Sequence, residues 1–185
     1  MKLFTVDLGG EEIPKYHIAI AGFKDHQVGD SIQSLLDRVK ALEDDKTILA
    51  VQVLDAERIA SHLHLLASAI YALQAIRDSR NISNTLRVET LLYSSAQRQI
   101  AEAIDRTGVR PRSNGLAAVV IALKPEAAID SIKKICHITG TEMDDTVLSV
   151  GEQAKQNTIR TVFKIDDAEL ESAETGAMPS DIESA

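Results

Sequence analysis

The sequence predicts an α/β fold, one compact domain with a small sheet of about four strands packed with five to seven helices. Three observations lead there. With 185 residues the chain fits one domain and can bury a sizeable core. Short β-branched or alternating runs recur between longer runs of helical period. The proportions, 44% hydrophobic and 26% charged, are those of a soluble globular protein.

The elements follow in order. KLFTV (2–6) is short and apolar, Gly9-Gly10 makes a turn, and KYHIAIAGF (15–23) alternates Tyr16, Ile18 and Ile20 with smaller or polar neighbours, so two strands are expected. Asp30, with Gln33 three residues on, is the expected N-cap of a helix whose stripe is Ile32, Leu35, Leu36, Val39 and Leu42, closed by Asp44-Asp45. TILAVQVL (47–54) reads as a strand covered on both faces. A long central helix is expected from Glu57 to about Asp78, with Ile59, Leu63, Leu66, Ile70 and Leu73 as its main stripe, widened by Leu65, Ala69, Ala72 and Ile76. One further helix follows Asn84. GLAAVVIALK (115–124) is the next strand, and Pro125 opens a helix that Gly140 closes in the left-handed conformation. Asp144 or Asp145 caps a short helix beyond it, and IRTVFKI (159–165) is apolar enough to pack as either strand or helix. The domain is expected to span 1–171, with 172–185 an acidic, aperiodic and disordered tail.

Composition narrows the chemistry. Without Trp, and with three Phe and three Tyr, the chain is poorly suited to stacking successive bases on aromatic rings. The single Cys136 excludes an internal disulfide and reads as a structural thiol. No segment reads as a signal peptide or a membrane span, so a cytoplasmic protein is expected, and the sequon Asn81-Ile82-Ser83 carries no glycan. The net charge of −8 is uneven. Residues 166–185 carry seven acids and no base, whereas Arg77 to Arg112 holds seven arginines against four acids, a local place for an anionic partner.

No phosphate loop, dinucleotide fingerprint or nucleophile elbow occurs. His62 and His64 lie roughly 200° apart around a helix and cannot share a metal ion. The acid pairs Asp44-Asp45, Asp144-Asp145 and Asp166-Asp167 sit at helix ends, where capping explains them. No cofactor, metal or catalytic residue is expected.

The helix after Asn84 is more informative. Val88, Leu92, Ala96, Ile100, Ala103 and Ile104 share one arc, with Tyr93 at its edge, and form the expected buried face. Arg87, Ser94 and Arg98 fall opposite, beside Ser95 and Gln97, a donor set suited to phosphate or carboxylate oxygens. Solvation, with Arg98 and Glu102 as a helical ion pair, explains the same residues, while Leu91 among them suggests a contact surface. In the preceding loop, Arg77, Arg80, Asn81 and Ser83 flank Ile82. Asn81 or Ser83 is a candidate helix cap, and Ile82 is either a staple or an apolar contact for a partner.

This pattern resembles the small kinase-binding subunit family of the KEOPS complex, archaeal type. The residues that carry the likeness are the NIS loop, Leu86, Glu89, Leu91-Leu92-Tyr93, Ser95-Ala96 and Arg98 to Ile100. LDAERIASHLHLLASAIYALQA (54–75) fits the preceding helix of that family. The likeness spans about residues 13–170 and is most specific over 54–108. Where members tend to carry a basic residue before the histidine equivalent to His64, this chain has Ser61-His62-Leu63. The resemblance implies a noncatalytic subunit that docks directly on a small atypical kinase with ATPase activity and reaches the threonylcarbamoyl transferase subunit through it. It also implies a grip on the single-stranded 3′ CCA end of tRNA during threonylcarbamoyladenosine formation. The residues implied for that grip are His64, Arg80, Asn81, Ile82, Ser83, Arg87, Ser94 and Arg98. The alternative is a protein-only adaptor of the kinase.

Overall fold

The protein is described from a computed structural model covering residues 1–10, 13–24 and 31–175. In chain order its elements are β1 (Lys2–Val6), β2 (Tyr16–Lys24), α1 (Ile32–Lys40), β3 (Ile48–Asp55), α2 (His62–Arg77), α3 (Leu86–Ser95), α4 (Ile100–Thr107), β4 (Gly115–Ala122), α5 (Pro125–Thr139), α6 (Gln153–Phe163) and α7 (Asp167–Thr175). Short 3-10 turns occur at Ala41–Asp44, Ala56–Arg58 and Asp145–Leu148. The expected α/β class is the observed one: a four-stranded sheet in the order β1-β2-β4-β3, every neighbour antiparallel.

The sheet is covered on both faces, which explains why β3 and β4 are apolar at almost every position. Ile18, Ile20, Ala50, Leu54, Ala117, Val119 and Ile121 point to a core completed by α2, α3 and α4. Ala19, Ala21, Val51, Val53, Leu116, Ala118 and Val120 point to a second core completed by α1 and α5. The alternation is that of a pleated strand. A bulge between Ile48 and Ala50 breaks it, and Ile48 is thereby moved to the second core while Leu49 packs on the first.

Several helix ends are set as the sequence predicts. Pro125 opens α5, Gly140 closes it at φ +68°, and Asp144 accepts the amide of Thr146 to cap the 3-10 turn. Others differ. The first helix is capped by Ser31, whose hydroxyl accepts the amide of Ser34; Asp30 lies outside the described residues. α2 begins at His62, because Asp55 first caps the Ala56–Arg58 turn and Ser61 then caps the helix. Its buried line is Leu65, Ala69, Ala72 and Leu73, whereas Leu63 is 67% exposed. A helix with apolar residues nearly all round offers no contrast from which its phase can be read. IRTVFKI falls at the end of α6. α7 runs to Thr175, four residues into the expected tail, and 176–185 lie outside the described residues.

The largest departure lies after Asn84. The single expected helix is two, because Ala96 takes the left-handed conformation at φ 51° and ends α3. The hydroxyls of Ser94 and Ser95 bond back to Leu91 O and Leu92 O, and Gln97 N reaches Leu92 O to close the turn. With the axis broken, one phase no longer serves both pieces. Ile100 and Ile104 are exposed and Leu91 is buried, the reverse of the expected faces.

Candidate functional site

The loop between α2 and α3 is built on two carboxylates. Asp78 ends α2 and receives Arg77 Nε at 2.7 Å and Arg80 Nη2 at 2.8 Å. These bonds, led by that of Arg77, hold its carboxyl down at about 2. Glu89, in the first turn of α3, is almost fully buried and accepts the amide of Ser83 at 2.8 Å and that of Ile82 at 3.1 Å. Asn81 Nδ2 donates to Ser83 O, and Ser83 Oγ accepts the amide of Thr85. Thr85, rather than Asn81 or Ser83, caps α3, its hydroxyl accepting from Val88.

Fixed in this way, Ile82 stands 47% exposed at the rim of a concavity of about 220 Å³. Leu92, Tyr93 and Ala96 form its apolar wall, and Gln97 and Arg98 its polar side. Tyr93 also leans on Tyr71 of α2, ring centroids 5.8 Å apart. The side chain of Arg80 is largely exposed on the same loop. An apolar shelf beside a guanidinium and an amide suits a flat, polar ligand with an anionic backbone.

The carbonyls that end α3 all have partners, which makes the concavity's floor rigid. Leu92 O takes Gln97 N, Tyr93 O takes Ala96 N, Ser94 O takes His64 Nε2 at 2.9 Å, and Ser95 O takes Arg106 Nη1 at 3.1 Å. The Ala60 amide donates to His64 Nδ1, so the imidazole is neutral with its proton on Nε2. Burial lowers its pKa, against the raising effect of the Ser94 bond. Phe163 of α6 closes this group, edge-on to His64 and 5.7 Å from the Arg106 guanidinium.

The candidate residues therefore divide. Arg80, Asn81, Ile82, Ser83 and Arg98 lie on the loop and around the concavity, although Ser83 is buried and offers structure rather than a contact. Ser94 is not on an outward face: it is fully buried, and its hydroxyl is spent on Leu91 O and Thr107 Oγ1. His64 is only partly buried, but both its ring nitrogens are engaged, by the Ala60 amide and Ser94 O. Arg87 lines a separate groove with α1 and has its Nε 3.8 Å from Glu43. Helical phase placed Arg87 and Ser94 with Arg98 only because it carried one axis through Ala96, while His64 on α2 was implied by the family resemblance alone. Gln97, read from the sequence as a donor beside Arg98, does line the concavity, whereas Glu89 and Tyr93 were missed as parts of the site. Glu89 is four residues after the cap Thr85, a displaced form of the capping box that could have signalled its reach into the loop.

Asp55 is fully buried and accepts Arg110 Nη2 at 2.7 Å, Arg110 Nε at 3.1 Å and the amide of Glu57. Its lone pairs are occupied by fixed donors, which leaves it poorly placed to move a proton. Among the described residues, no three His, Cys, Asp or Glu side chains gather as a metal site. No described helix is long and apolar enough to cross a membrane.

Comparison with known proteins bears on this site. A family model described as kinase binding protein CGI-121 matches residues 26–182. The regulatory protein Cgi121 of Methanocaldococcus jannaschii is 32% identical over 117 residues, which cover 63% of this chain and 72% of that protein.

Proposed function

The chain belongs to the kinase binding protein CGI-121 family, and from that premise we propose that it is a noncatalytic regulatory subunit which docks on a small atypical kinase and holds the single-stranded 3′ CCA end of tRNA. In this reading it works in the cytosol as part of the KEOPS complex, where it positions tRNA for threonylcarbamoyladenosine formation. The kinase is its direct neighbour, and the transferase is reached through the kinase. The carrying observation is the exposed Ile82, fixed by buried Glu89 beside Arg98 over an open concavity. Single-stranded RNA is read through splayed bases on apolar or planar surfaces and through cationic contacts to phosphate. Ile82 and Tyr93 supply the first, and Arg98 and Arg80 the second.

One observation favours the protein-only adaptor instead: Ser94, His64 and Arg87 are withdrawn from the surface proposed for RNA. Titration of tRNA with and without its CCA end separates the two readings. Loss of affinity on trimming, and again with Arg98→Glu, is expected; equal affinity in all three cases would leave the adaptor reading standing.

A further inference from the structure

A second and larger concavity, about 670 Å³, lies between α4 and α6 and shares Gln97 with the one under Ile82. Gln97 directly follows left-handed Ala96, where α3 and α4 part, so the two depressions meet at the break between the helices. Arg58, Arg106 and Lys164 bring three cations to the second, against the carboxylates of Glu102 and Asp105. Arg58 donates Nη1 to Arg106 O at 2.9 Å, and Arg106 donates Nη1 to Ser95 O. Arg58 Nε is buried without a partner, so of the five N–H donors of each guanidinium it is those on the outer nitrogens that these anchoring bonds leave for the groove, which both partly exposed side chains line. Lys164 caps α6 at φ 58° and is exposed, and its ammonium makes no ion pair among the described residues.

We propose that a single RNA strand seated under Ile82 continues over Gln97 into the α4–α6 groove, where Lys164, Arg58 and Arg106 draw its phosphates. The inference rests on the reading of the Ile82 concavity as an RNA site and extends it from one pocket to a track. Arg58 and Arg106 are fixed by backbone carbonyls and set the track's direction, while Lys164 meets the backbone as a mobile point charge. Glu102 and Asp105 on the same wall keep the surplus of charge small, so the groove guides a strand already anchored at its end.

The test uses the full chain, fluorescence anisotropy and two probes: the trinucleotide CCA and a ten-nucleotide single strand ending in CCA. The longer strand is expected to bind more tightly. Lys164→Glu should weaken the longer strand about tenfold, lower its salt slope by about 0.7, and leave the trinucleotide unchanged. Glu102→Lys should strengthen the longer strand alone. Arg98→Glu should weaken both probes. If Lys164→Glu leaves the longer strand unaltered while Arg98→Glu weakens both, the track is wrong and the anchoring pocket stands. If Lys164→Glu instead weakens a titration with the kinase and not with RNA, the groove is a protein contact and the track is withdrawn. If Arg98→Glu alters neither probe, the underlying RNA reading fails as well. Circular dichroism of each variant checks that it is folded.

Discussion

The carboxyl group of Glu89 takes the backbone amide of Ile82 at 3.1 Å from inside the protein, so an exposed apolar side chain is positioned by a buried polar one. The same group takes the amide of Ser83 at 2.8 Å, and together these bonds fix the loop across the start of α3. Glu89→Ala would leave both amides without their acceptor. A loss of about 1–3 kcal/mol of stability is expected from the unmet donors. Glu89→Gln keeps an oxygen acceptor and should cost less. Urea unfolding reads the stability, and RNA affinity should fall more for Ala than for Gln if loop order matters to binding.

Arg98 and Arg87 lie 11 residues apart in sequence and serve different surfaces. Arg98→Glu should lower affinity for a CCA-ended strand about tenfold and reduce its dependence on salt. Arg87→Glu should have little effect on RNA, since its guanidinium faces Glu43 across another groove. It should instead lower stability slightly by setting two half-buried carboxylates together, by about 1 kcal/mol where the existing pair is this loose, 3.8 Å apart. Equal losses of RNA affinity from the two variants would contradict the division between these surfaces.

The sheet was legible because strand period and burial on both faces leave a simple mark, as in GLAAVVIALK. The outward position of Ile82 was legible because a lone apolar residue among donors is unusual. The break at Ala96 was not. No Gly or Pro marks it, and two of the carbonyls it exposes are satisfied by His64 and Arg106, from α2 and from the next helix. Local sequence cannot reveal partners supplied by distant segments. Ser94 was placed outward for the same reason, and Leu63 inward because α2 carries too little polar contrast.

The neutral state of His64 makes stability depend on pH. Its pKa is lowered in the folded protein, chiefly by burial, so the unfolded chain binds a proton more readily. The stabilising contribution is complete above the unfolded value, near 6.5, and is lost as pH falls from there through the lower folded value. Below about pH 6.5, stability should therefore decline with a slope of at most about 1.4 kcal/mol per pH unit from this group. His64→Gln removes the titration. Its thermal unfolding midpoint should be lower at pH 8, and should fall less between pH 7 and pH 5 than that of the unaltered chain. Parallel pH profiles for the two proteins would count against His64 as the source.

Asp55 and Arg110 form an ion pair with unequal partners: the carboxylate is wholly buried, whereas the guanidinium side chain is 35% exposed. Their substitutions should therefore differ. Asp55→Asn leaves Arg110 able to turn its charge towards water and keeps an oxygen acceptor for the amide of Glu57. Arg110→Ala leaves a carboxylate inside the protein with the Glu57 amide as its remaining hydrogen-bond donor. Stranding a buried charge costs about 3–5 kcal/mol, so Arg110→Ala should be the more damaging variant. A double variant, Asp55→Asn with Arg110→Ala, removes the stranded charge and should recover part of that loss. Urea unfolding of the three proteins at pH 7 gives the comparison. If Arg110→Ala proves no worse than Asp55→Asn, water reaches Asp55 more readily than its burial implies.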